Sequence, residues 1–357
     1  MGMLFLWIYK VYYEGSGDVF HYMNEYANFG DGLLSLDLIR QPRVKWFIWA
    51  TYPFYILGMK SLVGTTFVFI VFSIVSKWVF FQSYKGIYEL NEWVLFIAIF
   101  LVPSFVFWTS GVTKESFVVS LILLSFSIMK KENVISKIGV LIMSLLILQI
   151  KPYIFVVLLL FYGVYLMFGL NRKAQLLFAG IMSLALVLIW CAFPEFSPLQ
   201  IVNTININAQ SSLELKGGSD VYLDTWGESF FMKMLYSLNV VLFKPFIWKG
   251  VSLIIIFQSI EKVLIVILVI FSFLRRDWNL PKQLNLLLIG WVIALSILLT
   301  LSSPNLGTLS RYSVYYSTVL VYFLLANLSF SKTGLQSNSS NKARLQGETH
   351  QPTPKKK

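Results

Sequence analysis

The sequence predicts an all-α, polytopic integral membrane protein of roughly ten transmembrane helices, a number set by span length. Three observations lead there. Hydrophobic residues make up 57% of the chain and charged residues only 13%, against roughly a quarter charged in a soluble domain. Mean hydropathy is +0.71. Apolar runs approaching the roughly 20 residues that cross a bilayer recur along most of the length.

In order, those runs cover 62–81, 93–108, 112–129, 138–150, 153–170, 174–193, 251–274, 284–301 and 312–330. An earlier run over 3–13 carries Lys10. At ~1.5 Å per residue it reaches about half of a hydrocarbon core near ~30 Å. Either it lies in the interface or it is the remainder of a truncated first span, and loop parity favours the second. No small-residue cleavage site follows it, so a cleavable signal peptide is not expected.

Orientation follows from Lys and Arg in the loops, which favour the cytoplasm. Lys85, the group Lys130, Lys131 and Lys137, the pair Arg172 and Lys173, and the group Arg275, Arg276 and Lys282 fall on alternate loops. The tail over 331–357 is polar, basic and expected to be disordered and cytoplasmic. Segments 14–60, 110–112, 149–152, 194–249 and 302–311 then face outward. The first of these also carries Arg40, Arg43, Lys45 and Lys60, which runs against this parity unless part of the segment lies along the headgroups; the assignment rests on the agreement of the other loops. Residues 1–330 form the transmembrane domain.

Composition also narrows the chemistry. Cys191 is a lone thiol, and the only histidines are His21 and His350, so neither a disulfide framework nor a thiolate or histidine metal centre is expected. Nucleic acid is not an expected partner. The second long outer segment carries Glu195, Glu214, Asp220, Asp224 and Glu228. Carboxylates can hold a divalent metal, the one cofactor left open, but no ligand spacing singles out a site.

In the first outer segment Gly15, Ser16 and Gly17 break the chain ahead of Asp18, which stands at the N-cap of a predicted helix. Val19, Tyr22, Met23, Tyr26 and Phe29 repeat at helical spacing opposite His21, Asn24, Glu25 and Asn28. That pattern predicts an amphipathic helix lying in the membrane interface. Asp18 has two compatible readings, as a cap and as a general base toward a sugar hydroxyl.

Four cations stand at the outer ends of apolar runs: Lys114, Lys151, Lys244 and Arg311. Singly, each is explained by a stem running along lipid to the headgroups. Together, on the side where short loops are usually poor in Lys and Arg, they point to an anionic ligand such as phosphate. Glu115 either orients Lys114 or neutralises it. Lys244 lies in an aromatic stretch, 243–249, with the character of a re-entrant turn. Glu261 sits well inside 251–274, and its neighbour Lys262 is poorly placed to pair with it, so a partner on another helix is expected.

The segments PSFVFWTSGVTKES, ILQIKPY, LFKPFIWK followed by Glu261, and NLGTLSRY resemble bacterial surface-polysaccharide membrane proteins of the O-antigen-polymerase-like or GT-C glycosyltransferase type. The resemblance covers most of 15–330. The pattern has Arg-Pro where this chain has Lys151-Pro152 and Lys244-Pro245, and an acid where it has Lys249. The resemblance implies a polyprenyl-phosphate or polyprenyl-diphosphate sugar donor and a catalytic Asp in the first outer segment, which Asp18 in GSGDVFHY matches.

The resulting expectation is transfer or polymerisation of sugars at the outer face of a bacterial cytoplasmic (inner) membrane. Asp18 activates the acceptor, while Lys114, Lys151, Arg311 and Lys244 hold the lipid phosphate. Glu115, Tyr22 and Glu261 support the site. The bilayer and other polysaccharide-assembly proteins are the expected partners. Two alternatives stay open: a flippase for lipid-linked oligosaccharide, and a non-catalytic assembly subunit.

Overall fold

A computed structural model describes residues 18–29, 42–84, 92–129, 133–159, 232, 235, 239, 253–274, 289–296 and 311–328. Their regular structure is helical, with no strand among the described residues. The elements are α1 (Asp18–Asn28), α2 (Pro42–Leu57), α3 (Leu62–Tyr84), α4 (Glu92–Phe100), α5 (Pro103–Trp108), α6 (Lys114–Met129), α7 (Val134–Ile150), α8 (Leu253–Leu274) and α9 (Ser317–Leu328). A short 3-10 turn, Ser313–Tyr315, precedes α9. Lys244 and the rest of 194–249 lie outside the described residues, apart from 232, 235 and 239, as do 3–13 and the tail.

Among the described residues one helix, α3, is long and apolar enough to cross a membrane. At 23 residues it is about 35 Å long. Its polarity runs opposite to that of a helix on a water-soluble protein. Thr65, Thr66, Ser73, Ser76 and Lys77 are buried, whereas Val63, Phe67, Val71, Ile74, Val75 and Trp78 are exposed. Three of these four buried hydroxyls turn back on the helix itself: Thr65, Thr66 and Ser76 donate to the carbonyls of Ser61, Leu62 and Phe72 at 2.7–2.8 Å, while Ser73 Oγ has no hydrogen-bond partner. This local pairing meets the cost of taking a polar group out of water.

Within 14–60 the described residues form α1 and α2, and α2 turns sharply into α3 through Met59 and Lys60, both in the left-handed region at φ 54° and 55°. Gly58 and Gly64 allow the close approach there, since a Cβ on Gly58 would fall 2.3 Å from the Thr65 nitrogen. The apolar face of α1 packs against protein. Val19, Tyr22, Tyr26 and Phe29 are buried, with Tyr22 against Phe47 (centroids 4.8 Å), Tyr26 stacked on Tyr55 (5.1 Å) and Phe29 against Tyr52 (4.8 Å). Periodicity identifies an apolar face but not what covers it, and here α2 does.

Phe117 on α6 ties the bundle together, meeting Phe47 and Phe54 of α2 and stacking on Phe72 of α3 at 5.8 Å. Further along, the Tyr84 hydroxyl donates to the Phe126 carbonyl at 3.0 Å. Helices α3 and α6 therefore run in parallel. Lys114, about one turn before Phe117, stands level with α3 residues about 10 Å along from Leu62.

Residues 110–112, expected as an outer loop, instead form a buried turn between α5 and α6. Ser110, Val112 and Thr113 are all buried. The turn is stitched by Thr113 Oγ1 to the Trp108 carbonyl (3.1 Å), Ser116 N to Thr113 Oγ1 (3.1 Å) and Ser116 Oγ to the Thr109 carbonyl (2.9 Å). The apolar run 93–108 likewise divides, at Leu101 and Val102, into α4 and α5. Pro103 opens α5, where its missing N–H costs nothing.

Candidate functional site

Five charged side chains from four separate parts of the chain meet where α1, α6, the end of α7 and the segment before α9 converge. Lys151 is the C-cap of α7, and Pro152 after it disfavours helical continuation. Its ammonium lies 3.0 Å from Glu115 Oε1. The Arg311 Nε faces the same oxygen at 3.4 Å. These are ionic contacts rather than well-aligned hydrogen bonds, because neither Glu115 Oε1 nor Arg311 Nε has a hydrogen-bond partner. The other arm of Arg311 reaches Asp18, with Nη1 donating to Oδ2 across 293 residues of sequence.

Exposure is graded across this network. The side chain of Glu115 is 1% exposed and that of Lys151 7%, that of Arg311 20% and that of Asp18 44%. One end is therefore sealed and the other open. Burial opposes the charge on Lys151, but Glu115, joined by Tyr153, Tyr312 and Tyr315, outweighs it and holds its pKa well above the usual lysine value. Arg311 follows the same logic: burial works against its charge, while Glu115 and then Asp18 raise its pKa. Buried charges are tolerated where such partners exist.

Aromatic rings line the cations. Lys151 Nζ is 4.3 Å from the Tyr312 ring centroid and 5.5 Å from that of Tyr153, and the Arg311 guanidinium is 5.6 Å from Tyr312. Lys114 stands over Tyr22 at 5.6 Å. Each distance falls within cation–π reach. Tyr22 is one turn along α1 from Asp18, so it links Lys114 to the start of that helix.

Glu115 forms no ion pair with Lys114. Neighbouring helical residues point in different directions, so Glu115 turns inward to Lys151 and Arg311 while Lys114 turns toward Tyr22. Among the described residues Lys114 has no ion-pair partner. The network thus contains three cations and two carboxylates, with Lys114 carrying the excess positive charge. Asp18, Lys114, Glu115, Lys151, Arg311 and Tyr22 come together; Lys244 lies outside the described residues.

Glu261 belongs to a second polar joint. As expected, its partner is on another helix: it accepts from the Ser104 backbone N–H at 2.7 Å and from Ser104 Oγ at 2.8 Å. Ser104 Oγ in turn lies 3.4 Å from Ser317 Oγ at the start of α9. Lys262 is buried beside it with Nζ 5.4 Å from the Tyr316 ring centroid.

Sequence reasoning missed a third buried cation. Lys77, in the second half of α3, donates to Thr109 Oγ1 at 2.6 Å and lies over the Phe105 ring at 4.8 Å. A lysine deep inside a long apolar run is itself a signal for a buried polar partner. The Tyr312 and Tyr153 walls are visible in the sequence only as residues close to Arg311 and Lys151. Among the described residues no group of three or more His, Cys, Asp and Glu side chains is arranged to hold a metal. Comparison of the chain with known protein families, curated proteins and solved structures finds no match.

Proposed function

We propose that this chain is a multi-pass membrane glycosyltransferase or polymerase. It takes a sugar or oligosaccharide from a polyprenyl-(di)phosphate donor during bacterial surface-polysaccharide assembly, at the outer face of the cytoplasmic membrane. The observation that carries this reading is the convergence of Asp18, Arg311, Glu115, Lys151 and Lys114 on one partly open site. The inside-out polarity of α3 supports the setting, since an exposed apolar stripe of that size is stable against lipid and costly against water. In this reading the other apolar runs of the sequence supply the remaining spans.

The chemistry asks three things of such a site. An acceptor hydroxyl must lose its proton as it attacks, and Asp18, the most exposed of the ion-paired groups in the network, is the general base. The new bond forms between the acceptor oxygen and the anomeric carbon as the bond from that carbon to the phosphate oxygen breaks. The electron pair leaves with the phosphate. Lys114 and Arg311 then stabilise the charge that builds on the leaving group, and Glu115 and Lys151 hold Arg311 from behind.

Deleting the gene and resolving the surface polysaccharide on a gel tests this reading. Loss of the ladder with one repeat unit retained is the polymerase outcome, and a uniform shift by one sugar is the transferase outcome. Unchanged glycan overturns both. Complementation with Asp18→Asn is expected to leave the deletion phenotype in place.

A further inference from the structure

Arg311 holds two carboxylates that differ in one respect. Glu115 is sealed at 1% exposure, while Asp18 is 44% exposed. Removing Glu115 from Arg311 would leave charge buried without a counter-ion, which is strongly unfavourable. Removing Asp18 exposes the carboxylate to solvent, provided another anion replaces it on the guanidinium. Lys114, the cation without a carboxylate, stands over Tyr22 one turn from Asp18. The charges of Asp18 and Arg311 both act on Lys114, so an incoming phosphate meets two cations here: the Nη1 arm of Arg311, now on Asp18, and Lys114.

We propose that Asp18 is an internal stand-in for the ligand phosphate, and that phosphate binding exchanges it off Arg311. This inference rests on the phosphate-site reading above and adds its order of events. The general base stays clamped until the donor arrives. The phosphate then takes Arg311 and Lys114, and Asp18 is released to face the acceptor hydroxyl. The arrangement imposes donor before acceptor and restrains the base while no sugar is bound to receive the attack. Guanidinium suits the exchange, because its fork accepts carboxylate or phosphate with the same geometry.

The exchange makes an unusual prediction: removing the proposed catalytic carboxylate strengthens anion binding. With the full-length protein in detergent, farnesyl phosphate and inorganic phosphate serve as probes and farnesol as the neutral control. If Asp18 occupies Arg311 about nine-tenths of the time, Asp18→Asn and Asp18→Ala should each bind phosphate about tenfold more tightly than wild type. Both variants are compared only where they elute as the wild-type protein does. Tightening toward both phosphates supports exchange with a headgroup-only ligand, and tightening toward farnesyl phosphate alone supports exchange with a lipid-borne one. Wild-type binding that is unchanged or weakened in both variants overturns the exchange and leaves the phosphate site standing. No binding of either phosphate by any of the three proteins overturns the site and the exchange together. Tightening in variants of a protein whose deletion leaves surface glycan unchanged keeps the exchange and overturns the glycosyl-transfer reading.

Discussion

The Asp18–Arg311 network and the Glu261 joint both bury charge, yet they satisfy it differently. In the first, charges answer charges: Glu115 lies between Lys151 and Arg311, and Arg311 continues to Asp18. In the second, Glu261 is held by a backbone N–H and a hydroxyl of Ser104, and Lys262 faces a tyrosine ring. The first has an open end at Asp18; in the second Glu261 and Lys262 are both buried. A charge matched by an exposed counter-charge can exchange it for a ligand, whereas one held by fixed neutral dipoles ties two helices together.

The sharpest way to break this contrast is Glu115→Ala. It strands the buried Lys151 without a counter-ion and leaves Arg311 with Asp18 alone, with an expected loss of about 3–5 kcal/mol, measured by SDS-induced unfolding in mixed micelles. A loss near zero would mean that the two cations find other partners and that the network is not cooperative. Glu261→Gln should come next. It retains an acceptor but loses the charged hydrogen bonds to Ser104, for an expected cost of about 1–3 kcal/mol. Farnesyl phosphate affinity measured on the folded fraction should stay within about twofold of wild type, well short of the roughly fivefold that marks coupling between sites. A larger drop would make the joint part of the site.

Lys77→Met sharpens the comparison from the other side. Lys77 has a hydroxyl and a ring for partners, and Thr109 retains its bond to the Phe105 carbonyl at 2.6 Å. An apolar side chain of similar shape should therefore change stability by less than about 1 kcal/mol, or raise it. Lys114→Gln should leave stability within about 0.5 kcal/mol while weakening phosphate binding, the opposite of the Asp18 result. The smallest effect belongs to the Lys45–Glu25 pair. It is 2.5 Å apart but about a quarter exposed on each side, and Lys45→Ala should cost about 0–1 kcal/mol by the same unfolding titration.

Several of these residues are legible in the sequence alone. Lys114, Lys151 and Arg311 are conspicuous because they gather at the outer ends of apolar runs, where short loops are usually poor in Lys and Arg. Glu261 predicts its own cross-helix partner because it lies deep inside an apolar run. Asp18 is marked by the glycines before it and the amphipathic repeat after it. The role of Glu115 is not legible, because adjacency to Lys114 in sequence suggests a pairing that helix geometry forbids. Nor is the recession of the α5–α6 turn, since Ser, Gly and Thr read as an exposed loop until their hydroxyls are seen closing on carbonyls.

What the chain settled by itself is local: helical elements written in apolar runs, the break at Pro152, and the positions of the charges within them. Each follows from side-chain and backbone preferences over a few residues. What the tertiary structure decided is which charges meet. Arg311 and Asp18 are 293 residues apart, and no periodicity carries information over that distance. Only the packing of α1 and α6 beside the end of α7 and the approach to α9 turns separate snorkelling candidates into one network, sealed at Glu115 and open at Asp18.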